Sequence, residues 1–159
     1  MKTSRSPSRS HSIEAAALSL LLCGGSLSAG AQTVTNNTNL SFGSFTAGSG
    51  GTVAVNAVGV RSKTGGVVLA NQSMGSAAQF TIAGTNSAVV TITLPTDGTV
   101  LLSDGSNTMA LTGFVSNPNA TGTLSGGGTL TISVGAVLNV NAAQPPGTYT
   151  GSFNVTVNY

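Results

Sequence analysis

Charge is what this chain has least of. Only 5% of its 159 residues are Asp, Glu, Lys or Arg, with one His, one Cys, no Trp, and aromatics at 4%. Each scarcity excludes something. Hydrolytic and redox catalysis need a group that takes a proton, attacks or binds metal, and beyond Ala31 there is no His, Cys or Glu, only Asp97 and Asp104 as acids. No catalytic, cofactor-binding or metal-binding residue is therefore assigned, and neither an enzyme nor a small-molecule substrate is expected. Both Asp residues precede Gly, an ordinary choice for a tight turn. Gly126-Gly127-Gly128 lacks the Lys and Ser/Thr that follow in a phosphate loop, and no basic patch with interleaved aromatics exists to hold nucleic acid.

Half of the charged residues sit at the start. Lys2, Arg5 and Arg9 precede an apolar run from Ala15 to Cys23, and Ala29-Gly30-Ala31 supplies a small-x-small cleavage pattern. Residues 1–31 read as a secretory signal, so the protein is expected in the periplasm, at the cell surface or outside the cell. The nine-residue run is far short of the ~20 a spanning helix needs, and no transmembrane helix is expected. Loss of this segment removes Lys2, Arg5, Arg9, His11, Glu14 and Cys23, leaving Arg61 and Lys63 against Asp97 and Asp104, net zero. With no cysteine left there is no disulfide, and stability must come from burial.

What the chain does have is glycine, 22 residues, about double the usual share of about 7%, together with Val, Leu and Ile at alternate positions. After a polar N-terminal extension at 32–39, the ordered part is expected to open at Leu40-Ser41-Phe42-Gly43-Ser44-Phe45. Val53, Val55 and Ala57 alternate on odd numbers and Val58 and Val60 on even ones, which predicts a bulge near Ala57. Arg61 to Gly66 then reads as a polar loop and Val67 to Leu69 as a short strand. Even-numbered apolar faces follow at Ala78, Phe80 and Ile82; at Val90, Ile92 and Leu94; at Val100 and Leu102; and at Leu130, Ile132 and Val134, with another strand starting at Met109 and Leu111. No stretch has helical spacing. The expected fold is an all-β, immunoglobulin-like or pilin-like antiparallel β-sandwich of about 7 to 9 short strands, forming a single domain over residues 40–159.

The clearest pattern closes the chain. From Gly147 to Tyr159, Tyr149, Gly151, Phe153, Val155, Val157 and Tyr159 alternate with Thr, Ser and Asn, a strand with one dry and one wet face. These residues, Gly147 included, form the candidate assembly strand.

Several segments in succession carry a resemblance: Leu40 to Phe45, Gly51-Thr52-Val53, Ile92-Thr93-Leu94-Pro95, Val134 to Val140, and Gly147 to Tyr159. The chain resembles the bacterial secreted family known as domain of unknown function 4402, which implies export and a β-fold but no reaction. Its last strand is also similar to those of chaperone-usher fimbrial subunits and of spore-coat proteins of the U type, where a glycine precedes an aromatic by twelve residues, as Gly147 precedes Tyr159. That similarity implies a non-enzymatic structural or adhesive subunit whose partners are like subunits or a periplasmic chaperone, joined by strand addition. Two alternatives from other classes are a small outer-membrane β-barrel, suggested by the terminal aromatic, and a carbohydrate-binding module. The carbohydrate reading lacks Trp for stacking.

Overall fold

The computed structural model describes residues 32–70 and 74–159, and within them the chain forms twelve strands and no helix. The expected signal at 1–31 lies outside the described residues. In chain order the strands are β1 (Thr33–Thr38), β2 (Phe45–Thr46), β3 (Gly51–Val55), β4 (Arg61–Gly65), β5 (Val68–Leu69), β6 (Ala78–Ala83), β7 (Val89–Thr93), β8 (Leu101–Ser103), β9 (Thr108–Asn117), β10 (Thr121–Thr123), β11 (Thr129–Val140) and β12 (Thr156–Asn158). Every pairing between them is antiparallel.

The organising strand is β11, the longest. One of its edges pairs with β9 through Ser133 to Leu138. Its other edge is shared end to end: β6 takes Thr129 to Val134 and β3 takes Ala136 to Val140. The handover falls at Gly135, where a Cβ would strike the Val55 carbonyl and the Asn56–Ala57 backbone. Glycine here is what lets the end of β3 cross so close. Beyond β6 lies β1, beyond β3 lies β4, and β8 flanks β9.

Period two then decides the core. Ile132, Val134, Ala136, Leu138 and Val140 are all buried on one face of β11. Ile132 and Val134 join Ile82 of β6, Val90 and Ile92 of β7, Leu124 and Val157 of β12 in one cluster. Thus the three-stranded sheet β10-β7-β12 packs over one end of the main sheet. Ala136, Leu138 and Val140 join Phe42, Val53, Val55, Val67 and Leu111 in a second cluster at the other end, beside the small β2-β5 sheet. Each fully buried Val, Leu or Ile is worth roughly 1.5–3 kcal/mol, so the paired clusters supply the stability that no disulfide provides. The result is the expected all-β, β-sandwich-like fold, with twelve strands among the described residues where about 7 to 9 were expected.

Four local expectations need correction. The change of parity near Ala57 is a hairpin turn, not a bulge: the Asn56 side-chain oxygen accepts from the backbone N–H of Val58 at 3.1 Å and of Val60 at 2.9 Å, reversing the chain between β3 and β4. Arg61 to Gly65, read as a loop, is the edge strand β4, paired residue for residue with β3. Such a strand is exposed on both faces and needs no apolar alternation. For the same reason the polar segment 32–39 did not announce itself, yet Thr33–Thr38 is a strand of the main sheet, paired with β6. Finally, the stretch from Gly147 to Tyr159 is not one continuous strand. Only Thr156–Asn158 forms a ladder, with β7, and Thr150 makes an isolated bridge with Ser103.

Candidate assembly groove

Between Ser152 and Asn158 the candidate strand keeps its two faces even where it has no ladder, whereas Tyr159, expected on the dry face, is 51% exposed. Phe153 and Val155 are half-buried and Val157 is buried, while Ser152, Asn154, Thr156 and Asn158 are exposed. Gly147 passes beside Asp104, where a Cβ would sit 3.0 Å from the carboxylate. The Tyr149 hydroxyl donates to the Pro145 carbonyl at 2.8 Å and accepts from the Gln144 amide at 3.0 Å, fixing the Pro145-Pro146 turn that leads into the strand. Gly151 lies so near β8 that a Cβ would be 2.5 Å from the Leu101 carbonyl oxygen. At the far end the Tyr159 hydroxyl accepts from the Thr85 N–H at 2.8 Å.

Phe153 links the two halves of the molecule. It packs against both core clusters. Its ring meets Phe114 with centroids 5.5 Å apart and Phe80 edge-on at 6.2 Å, geometries in which aromatic quadrupoles attract.

Beside this segment runs a groove of about 890 Å³. Its floor includes Leu40, Phe42, Phe80, Leu111, Leu138 and Phe153; one wall is residues 39–48 and the other residues 143–153. No charged side chain lines it. Two of the strands that line it are sheet edges, β1 of the main sheet through Asn36 and β2 of the two-stranded sheet through Phe45 and Thr46. Elsewhere the Gln32 side-chain amide donates to the Val157 carbonyl, tying the residue before β1 to β12. A strand edge carries unpaired N–H and C=O groups, so the groove offers main-chain partners above an apolar floor.

Asp97, Asp104 and Arg61 brace the scaffold. Asp97 accepts from the Gly113 N–H at 2.7 Å. Asp104 accepts from the N–H groups of Asn107 at 2.6 Å and Ser106 at 2.9 Å. These bonds, Asn107 first, stabilise the carboxylate and lower its pKa to about 2. Arg61 was not singled out by the sequence, yet its guanidinium donates to the carbonyls of Phe42 at 3.0 Å, Ser44 at 3.3 Å and Ala70 at 2.9 Å. It thereby clamps the groove wall to the end of β5. An arginine among so few charges was the only available signal, and it names no partner.

No curated protein and no solved structure matches the chain. The model of the family described as domain of unknown function (DUF4402) matches residues 32–159, which takes in every strand from β1 to β12, and the chain belongs to that family.

Proposed function

We propose that this protein is an exported, non-catalytic structural or adhesive subunit of fimbrial type, joined to its neighbours by strand addition. The observation that carries the reading is the groove: an apolar floor, no charge along its lining, and the edge strands β1 and β2 among the elements that line it. An added strand gains affinity from main-chain hydrogen bonds and register from alternate side chains set into the floor. Gly147 to Phe153 form part of one wall of that groove, and Phe153, Val155 and Val157 turn into the domain's own core. Export rests on the N-terminal charge, apolar run and small-x-small pattern.

The test is a size measurement on material stripped from cells without detergent. Light scattering together with unheated and heated denaturing gels should reveal high-mass species that collapse to monomer on heating. Recovery of monomer alone would sink the reading, and a requirement for detergent would favour the barrel alternative instead.

A further inference from the structure

We infer that a hollow on the outer face of the main sheet, where β6 and β3 meet end to end along β11, binds the acetamido group of a neutral, N-acetylated sugar. The site shares no lining residue with the groove and does not depend on strand addition.

The hollow follows from the sequence of β11. Ile132, Val134 and Ala136 face the core, so Thr131, Ser133 and Gly135 face outward. At Gly135 the missing side chain lets the Asn56–Ala57 backbone lie across the outer face, just where the edge of β11 passes from β6 to β3. This turn and the segment leading into β6 become walls beside Ser133. The cavity they leave is about 370 Å³, within the range of about 300–1,000 Å³ usual for small-molecule sites and roomy enough for a sugar ring.

Its polar groups come as a row. Thr38 opposes Gln79, Gln79 opposes Ser133 and Ser133 opposes Asn117, so the four side chains stand on one face across β1, β6, β11 and β9. Among the described residues, none of these four side chains hydrogen-bonds within the protein. Two carboxamides and two hydroxyls therefore offer donors and acceptors together. The main chains of Gln79 and Ser133 are already paired on both sides, which leaves recognition to side chains and gives an added strand no edge. No charged residue lines the cavity, so its ligand is neutral.

The rest of the lining selects the ligand further. Ala57, Val58 and Ala77 supply methyl groups, and Val58 stands 72% exposed. An acetamido group combines one donor, one acceptor and one methyl, and so answers both the polar row and the apolar wall; a sugar with hydroxyls alone leaves Val58 in water. No aromatic ring lines the cavity to stack on the sugar, and affinity on the order of millimolar is expected.

The test follows amide resonances of the monomeric protein by NMR as the tetramer of N-acetylglucosamine is added, with the glucose tetramer of the same linkage as control. Shifts are expected at Val58, Gln79, Asn117 and Ser133, with the acetylated sugar preferred about fourfold or more, the worth of one buried methyl. Gln79→Ala should weaken binding about three- to tenfold without moving the melting temperature, since this side chain is exposed. Val58→Ser, also at an exposed position, should narrow the preference between the two sugars. Co-sedimentation with chitin and with isolated peptidoglycan, both N-acetylated, separates an external polymer from the cell wall as the source; pelleting with either that is lost in Gln79→Ala supports the site. No shift at tens of millimolar sugar, equal affinity for the two tetramers, or shifts confined to residues 143–153 of the groove would overturn it. Heat-labile polymers are scored separately, so failure of sugar binding leaves assembly standing, and loss of assembly leaves the sugar site standing.

Discussion

Replacing Phe153 by Ala tests how far the C-terminal segment belongs to its own domain. The ring is half-buried, touches both core clusters and contacts Phe80 and Phe114. Fully buried Phe→Ala changes cost about 3–5 kcal/mol. Half the transfer gain of a buried Phe is about 0.75–1.5 kcal/mol, and two edge or tilted ring contacts add about 0.5–1.5 kcal/mol each. A loss of about 2.5 kcal/mol is therefore expected. At a urea m of about 2 kcal/mol/M that lowers the midpoint by about 1.2 M, with m itself unchanged. Phe153→Leu should recover most of the transfer part but not the ring contacts. Equilibrium urea unfolding of purified monomer is the assay. A midpoint within about 0.2 M of wild type, a shift worth under about 0.5 kcal/mol, would refute the reasoning, because the ring would then be idle in the monomer and reserved for a partner's core.

Three other expectations follow from single contacts. Gly151→Val should lower the melting temperature, because its Cβ would press on the Leu101 carbonyl and open the Ser103–Thr150 bridge; overpacking of this sort costs about 1–3 kcal/mol. Arg61→Met should cost about 1–2 kcal/mol through lost charge-assisted bonds, with faster amide exchange at Ala70, whose N–H bonds the Ser44 carbonyl; Arg61→Lys should not rescue it, since an ammonium cannot span the three carbonyls as the planar fork does. Asp104, depressed from 3.8 to about 2 in the folded chain, favours the fold above its unfolded value, and that contribution fades as pH falls from near 4 through about 2. Acid titration of stability should therefore lose part of its slope in that window in Asp104→Asn.

Much of the fold was legible because buried strands advertise themselves. Val90 and Ile92, Met109 and Leu111, and Ile132, Val134 and Leu138 sit at alternate positions because one face of each is dry. The strands that escaped notice, β1, β4 and β10, pair through main chain while their side chains are exposed or only partly buried. A backbone ladder accepts Thr, Asn, Ser or Lys alike, so such strands leave no hydrophobic pattern to read.

The same division applies to the final stretch. Its alternation, the poverty of charge and the lack of His, Cys and Glu beyond Ala31 are properties of the sequence itself, and the alternation suffices to mark a β-domain with one dry face near its end. Which main-chain groups that end would meet depended on partners distant in the chain: Ser103 for Thr150, Ile92 for Val157, Phe80 and Phe114 for Phe153. Alternation specifies a face, whereas a ladder needs a neighbour at the right distance and register. Between Gly151 and Val155 the fold supplies the core but no strand, and only the tertiary structure could place a groove there.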